Sequence, residues 1–552
     1  MQSISWEKVT PSYLQLTPII EDVSSIPHTS FEQLQPRFAA ALSDFIELQR
    51  HCRLMWVCGL DNTRYRQLVT DAARRMVSSS HHNIDVITTE SSSLAQLFGH
   101  YSVAENGEIL NQSIGLLESH PESIIVLPIR TLMTEPGSWE KIKSLIMGEP
   151  VTKCHLHGPT LSARITYSTN AKLIFVGDRN QISDVEYHDS AALSSMTLFS
   201  EIELEIKLDQ NNVAPYVGWL KHLAEPLHIS LADSDAVTKV LTAGARACEE
   251  QHYTPLCPIW IERLLSESLL QSQSKAISAS DIEAALAKRA YRESYLVNRA
   301  LDDILDGQVV IKTKGSQIGQ VNGLTVVDIP GHPVSYGEPA RISCVVHFGD
   351  GDIADVERKA DLGGNLHAKG MMIMQAYISS EMKLDEPLPF SASIVFEQSY
   401  SEVDGDSASL AEFCALSSAL SQSPIKQHIA ITGAMDQFGQ VQAVGGLNEK
   451  IEGFFYVCHH QGLTGEQGVI MPSANLRHLA LHKDVIEAIR AGRFHIWCVD
   501  NVDQALEILI GMPFKNAEQS VVNRIEDRIH QLDNPHPSQT VLQKFKQWLK
   551  MD

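Results

Sequence analysis

Val403–Ser409 reads VDGDSAS and lies between a strand-like run, Ser393–Phe396, and a helical pattern, Ser409–Leu420. Its glycine permits a tight backbone turn, after which Asp406 or Ser407 is expected to start the helix. A serine at a helix N-terminus has backbone N–H groups aimed at nearby negative charge, as the oxyanion of an acyl transfer requires. The alternative for this stretch alone is a plain helix cap.

Val444–Phe455, VGGLNEKIEGFF, carries the second element. Two glycines end a turn, Asn448 is a candidate cap, and a helix is expected from about Glu449. Lys450, Ile451, Phe454 and Phe455 then share much of one face, which directs Lys450 toward apolar surroundings near a helix N-terminus. Burial and the positive helix end both disfavour the ammonium and lower the lysine pKa. A neutral lysine can accept the proton of a serine hydroxyl, so a Ser407–Lys450 pair is chemically competent. The alternative is a lysine that snorkels to water.

Together the two strings resemble the Lon protease family (endopeptidase La). There the serine lies in a Gly-x-Ser-Ala-Ser/Gly turn and the lysine follows in a Gly-Gly-x-x-x-Lys turn 43 residues later, the separation of Ser407 and Lys450. Gly319–Leu324 (GQVNGL), Phe396–Tyr400 (FEQSY), Thr432–Gly439 (TGAMDQFG) and Gly468–Pro472 (GVIMP) look like text of the LonB-like branch. The resemblance covers about residues 306–512 and extends weakly over the N-terminal part. It implies a serine endopeptidase with Ser407 as nucleophile, Lys450 as general base and Thr432 as the threonine bonded to that lysine. Asp404 and Asp406 are candidates for a carboxylate near Lys450. Such a carboxylate would raise the lysine pKa against the effect of burial and hold an inactive form; turn and cap chemistry is the alternative for both. The N–H groups of Ser407 and Ala408 are the oxyanion candidates. His367 and Lys369, in Leu366–Gly370 (LHAKG), read as structural or substrate-edge residues.

Outward from this domain, a chain of 552 residues is too long for one core. Arg53–Leu60, Ser123–Leu127 and Lys172–Gly177 read as buried strands, with a helix over Tyr65–Val77 after the first, which suggests a parallel α/β sheet. Residues 211–305 look helical, with a helix-start signature at Ser278–Asp281 ahead of Ile282–Tyr291. From about 306, Val309–Lys312, Val326–Ile329, Ile342–His347 and Ser393–Phe396 are strand-like, between Gly-rich turns, and helices follow at Ser409–Leu420 and Lys450–His459. The fold class is therefore multidomain α/β and α+β. The division is 1–210 (α/β), 211–305 (helical), 306–512 (Lon-type α+β proteolytic domain) and 513–552 (a tail). In the tail Asn534–Pro537 turns, Ser538 caps, and Val541, Leu542, Phe545, Trp548 and Leu549 line one helix face, either docked or partner-binding.

Lon enzymes pair the peptidase with an AAA+ ATPase, an α/β domain followed by a helical one. The outline is present here, but the phosphate chemistry is not. Gly59–Arg66 (GLDNTRYR) lacks the second glycine and the Lys-Ser/Thr of GxxxxGK[ST]. The strand Ser123–Leu127 runs into Pro128-Ile129-Arg130, where the family has an Asp-Glu pair. Asn180 could match the family's sensor asparagine. The expectation is a degenerate AAA+ module that needs no cofactor. Phe98 and Tyr101, between the two degenerate motifs, either face a central pore or pack ordinarily.

The net charge of −23 argues against broad nucleic-acid binding. No apolar run reaches membrane-spanning length, and the N-terminus lacks a basic region followed by an apolar stretch, so neither a membrane span nor a secretory signal is expected. Nine scattered cysteines without a CxxC pair fit reduced thiols in a cytoplasm. Cys458-His459-His460 reads as a helix end rather than a metal site, and no metal is expected. The leading reading is an ATP-independent Lon-like endopeptidase acting on unfolded or damaged proteins, assembled as a homo-oligomeric, hexameric ring. The alternatives are a fully ATP-dependent Lon protease and a non-catalytic Lon-fold scaffold.

Overall fold

The computed structural model describes residues 2–48, 52–80, 84–90, 93–133, 137–161, 164–190, 197–349, 351–381, 390–399, 403–512, 515 and 519–533. The Asn534–Pro537 turn, the Ser538 cap and the last helix expected from the sequence lie outside these residues. The chain divides into two compact units: Leu14–Thr238 with Pro255–Glu283, and Met1–Tyr13 with Lys239–Thr254 and Ala284–Asp552. Among the described residues, no helix is long and apolar enough to cross a membrane.

In the first unit, β1 (Leu54–Cys58), β2 (Asp85–Thr88), β3 (Ser123–Pro128), β4 (Lys172–Gly177) and β5 (Thr197–Glu201) form a parallel sheet in the order β5-β1-β4-β3-β2. β1, β3 and β4 are buried along their whole length. They read as unbroken apolar runs because a parallel sheet is covered on both faces. Trp56 of β1 stacks on Phe175 of β4 with ring centroids 5.6 Å apart. Helix α1 (Thr63–Ser79) follows β1, and the Asn62 side chain accepts from the Tyr65 N–H at its start. Phe98 and Tyr101 face no pore: Phe98 ends the helix Leu94–Phe98, Tyr101 lies on the strand His100–Val103, and both are buried. The helical stretch expected over 211–305 is divided: Val213–Ala224 and Pro258–Leu269 belong to this unit, Ser234–Ala247 and Ala279–Glu293 run across the division, and Tyr295–Leu305 belongs to the second unit.

The second unit is built on a mixed sheet. Its strands are β6 (Gln320–Val327), β7 (Tyr336–Phe348), β8 (Ile353–Asp355), β9 (Phe390–Glu397), β10 (Ile429–Ile431), β11 (Gly468–Pro472) and β12 (His495–Val499), in the order β8-β9-β7-β6-β10-β11-β12. β7 runs antiparallel to both β6 and β9, while β6-β10-β11-β12 run parallel. β9, FSASIVFE, alternates buried and half-buried positions, so one face meets the core. Helix α2 (Asn365–Glu381) precedes β9, α3 (Ser409–Ser421) follows it, and α4 (Leu447–Gln461) follows β10. Every residue of α3 is buried, as expected of a helix apolar nearly all round. Met1–Tyr13 belongs to this unit: the Ile4 N–H donates to the Ile496 carbonyl of β12 at 2.9 Å. Val309–Lys312, expected as a strand, forms none; Val309 and Ile311 pack with Ile304 and Val457 instead.

Candidate active site

α3 begins at Ser409 with Ala408 as N-cap, later than the sequence suggests. Asp406 and Ser407 stay in the preceding turn because of a long-range tie. The Ser407 carbonyl accepts from the Gly433 N–H at 2.9 Å, and the Leu410 N–H donates to the Gly433 carbonyl at 3.2 Å. The turn itself needs Gly405, whose φ of +108° is a left-handed conformation that side chains disfavour. Ser407 is half-buried, and with Ala408, whose N–H is the other oxyanion candidate, it stands at the N-terminal end of α3.

Lys450 arrives from the other side on α4. That helix starts at Leu447 behind a left-handed Gly446. Asn448, the expected cap, lies instead inside the helix and is buried. Its Nδ2 donates to the His478 carbonyl at 3.1 Å and its Oδ1 accepts from the Ala480 N–H at 2.7 Å, so it ties α4 to a neighbouring segment. β7 crosses the start of α4 at Gly337. A methyl group there would lie 2.0 Å from the Glu449 carbonyl oxygen and 2.6 Å from the Lys450 nitrogen, so only glycine allows this approach.

These two elements bring Lys450 Nζ to 3.1 Å from Ser407 Oγ and 3.3 Å from Thr432 Oγ1. Thr432 Oγ1 also reaches the Ser407 carbonyl at 3.4 Å. Ile451, Phe454 and Phe455 beside the lysine belong to an apolar core. Burial pushes the Lys450 pKa down to about 8, against the Asp406 carboxylate, which raises it. At pH 7 such a group is about 9% neutral, roughly 300 times the neutral fraction of an ordinary lysine. Asp406 is thus the carboxylate that acts on Lys450. Asp404 is turned away: its Oδ1 accepts from the Leu366 N–H at 3.2 Å and the Gly405 N–H at 2.9 Å, capping α2.

His367 and Lys369 separate. Lys369 is exposed, and His367 is buried between Asp355 and Glu412. The sequence reading missed Asp355, Glu357 and Glu412; the available signal was one acid inside the apolar helix SLAEFCALSSALS.

In the first unit, Gly59–Arg66 forms the turn from β1 into α1. The Arg66 guanidinium is 1% exposed and pairs with Asp61 at 2.7 Å and Glu90 at 2.6 Å. Glu90 Oε2 also accepts from Thr63 Oγ1 at 2.7 Å. Asp61 is further engaged by Gln181 Nε2 at 3.1 Å and lies 3.6 Å from Arg130. Asn180 is exposed in the helix Arg179–His188, which Asp178 caps. Among the described residues, one group has metal-ligand reach: His28, His222 and Glu225, two of them exposed. Cys458 is buried, whereas His459 and His460 are exposed.

Residues 392–512 match the model of the Lon protease (S16) C-terminal proteolytic domain, which makes this region a serine-peptidase domain. A Lon protease homolog of Escherichia coli (strain K12) is 38% identical over 96% of this chain and 95% of its own length. One of Haemophilus influenzae is 33% identical over 95% of this chain and 92% of its own. The archaeal Lon protease of Thermococcus kodakarensis is 29% identical over 45% of this chain and 36% of its own length. The chain belongs to the Lon protease family.

Proposed function

We propose that the protein hydrolyses peptide bonds through a Ser407–Lys450 dyad and does so without ATP hydrolysis. The observation that carries this reading is the buried Lys450 amine within 3.1 Å of Ser407 Oγ. In its neutral form Lys450 takes the Ser407 proton as the hydroxyl attacks the peptide carbonyl, then returns it to the leaving amine. Thr432 holds the lysine nitrogen on the serine. The Ser407 and Ala408 N–H groups receive the oxyanion. Asp406 favours the ammonium and so restrains the resting site.

ATP independence rests on Gly59–Arg66. A strand–loop–helix phosphate site needs backbone N–H groups and a lysine free to meet phosphate. Here the N-terminus of α1 faces the carboxylates of Asp61 and Glu90, already paired with the buried Arg66. The pairing occupies the guanidinium that a phosphate would need, and Arg130 replaces an acidic metal ligand. These residues do not fit ATP·Mg²⁺. We read 1–210 and 211–305 as a degenerate AAA+ module serving assembly and substrate gating, 306–512 as the proteolytic domain and 513–552 as a tail. The substrates are unfolded or damaged proteins, the assembly a hexameric ring, and the compartment the cytoplasm.

Cleavage of an unfolded model protein, with and without ATP·Mg²⁺, tests the reading on wild type, Ser407→Ala and Lys450→Ala. Equal cleavage with and without nucleotide, lost in both variants, is the expected result. Cleavage only with ATP would overturn the reading of Gly59–Arg66, and none from assembled protein would favour a scaffold.

A further inference from the structure

Behind the nucleophile turn lies a group of buried ionisable side chains that the dyad chemistry does not use. His367, in the first turn of α2, has Nε2 3.2 Å from Asp355 Oδ2 and Nδ1 3.6 Å from Glu412 Oε1. Asp355 ends β8 and caps the short helix Val356–Lys359; Glu357, in that helix, accepts from the Phe396 N–H of β9 through Oε1 at 2.9 Å. Glu412 stands in the first turn of α3, five residues after Ser407. All four side chains are at least nine-tenths buried. Asp355 Oδ2, Glu357 Oε2, His367 Nε2 and both Glu412 carboxylate oxygens lack well-directed hydrogen bonds. Burial on this scale is costly unless charges compensate one another.

The same α2 end grips the nucleophile turn. The Val403 N–H donates to the Leu362 carbonyl at 2.8 Å, and the Gly364 N–H donates to the Val403 carbonyl at 3.0 Å. The Leu366 N–H donates to Asp404. Gly370 packs so closely that a methyl there would touch Ser409 Cβ at 3.3 Å and Asp406 Cβ at 3.4 Å. Residues 403–406 are therefore held against the first two turns of α2, and α2 is held to α3 through His367 and Glu412.

We propose that His367 is a positioning residue for Ser407: as the imidazolium between Asp355 and Glu412, it clamps α2 to α3 and so fixes the turn that carries the nucleophile. The inference rests on the dyad reading for its catalytic consequence. The groups facing His367 are Asp355 at the end of β8, Glu357 on the short helix, Glu412 on α3, and the Phe396 ring of β9, edge-on at 5.7 Å. Burial opposes the imidazolium, but the adjoining Asp355, Glu412 and Glu357 outweigh it and raise the His367 pKa. Burial raises the Glu412 carboxyl to about 7, against the charge of His367. His367 holds its proton more tightly than in the unfolded chain, so the stability the imidazolium contributes is present at low pH and is lost as pH rises through its raised pKa, and the clamp loosens in that direction.

The test is hydrogen–deuterium exchange of the full chain over residues 403–409, corrected for intrinsic rates, from about pH 6 to about pH 9, beside labelling of Ser407 by a fluorophosphonate. In the wild type, corrected exchange is expected to rise about tenfold or more across this range. His367→Gln exchanges fast throughout, and Glu412→Gln, in which the imidazolium still titrates beside Asp355, keeps a pH dependence. The limiting acylation rate of His367→Gln falls about tenfold or more, with the half-saturating probe concentration unchanged and the Lys450 midpoint still near 8. Wild-type exchange at 403–409 in His367→Gln overturns the proposal, whatever the labelling. If Ser407 does not label in the wild type while exchange responds as stated, the dyad reading falls and the clamp stands. Should His367→Gln fail to fold, wild-type exchange at 403–409 that does not change across this pH range overturns it instead.

Discussion

Replacing Gly337 with alanine moves Lys450 without touching it. The added methyl would sit 2.0 Å from the Glu449 carbonyl oxygen, 2.3 Å from its carbon and 2.6 Å from the Lys450 nitrogen. All three atoms are backbone, so no side chain can rotate away. Restoring ordinary contact, ~3.5 Å between heavy atoms, requires β7 and the start of α4 to part by roughly 1 Å or more. Lys450 Nζ is 3.1 Å from Ser407 Oγ and 3.3 Å from Thr432 Oγ1, so the same displacement carries both contacts past hydrogen-bond range. A misplacement of about 1 Å costs about 10²-fold in rate, or about 2.7 kcal/mol of barrier. Overpacking costs about 1–3 kcal/mol of stability besides, which a melting curve separates from the rate effect. The assay is single-turnover acylation of Ser407 by a fluorophosphonate, read by intact mass. Gly445→Ala is the control, because a methyl at Gly445 meets nothing within 4 Å. A folded Gly337→Ala that acylates at the wild-type rate would refute the geometric argument for Lys450.

Asp406→Asn removes the carboxylate that stabilises the Lys450 ammonium, so the pH–acylation profile shifts to a midpoint below about 8. The rate at pH 7 then rises, by at most the ~10-fold between a 9% and a full neutral population; a shift to higher pH contradicts the assigned sign. Asn448→Ala leaves the His478 carbonyl and the buried Ala480 N–H unpaired, and urea denaturation is expected to show a loss of about 2 kcal/mol. Adding ATP·Mg²⁺ is expected to leave the melting temperature unchanged, whereas a ligand at 100 times its Kd would add about 2.7 kcal/mol.

The two strings around Ser407 and Lys450 were legible because each is local: a glycine turn, a serine or lysine, and an apolar helix. Thr432 was legible only through the family text around it. The strands Leu54–Cys58, Ser123–Pro128 and Lys172–Gly177 were legible because burial on both faces leaves unbroken apolar runs. Long-range contacts decided what was missed. Ser407 stays outside α3 because Gly433, far along the chain, bonds its carbonyl, and a capping argument sees only neighbours. Asn448 has the chemistry of a cap but satisfies a segment some thirty residues on. α2 was seen only as the LHAKG string, with no helical pattern assigned to it. Asp355, Glu357, His367 and Glu412 come from three helices and a strand end, and no spacing rule unites them. Phe98 and Tyr101 looked like candidates for a pore because sequence gives aromatic residues no direction; both are core residues.

The central claim is that a neutral Lys450 activates Ser407. Its most direct measurement is the pH dependence of Ser407 acylation in the wild type and in Lys450→Ala. The account predicts a rate that rises with pH to a midpoint near 8 in the wild type and is nearly abolished at every pH in Lys450→Ala. A Lys450→Ala protein that labels Ser407 at the wild-type rate and with the same midpoint would contradict it.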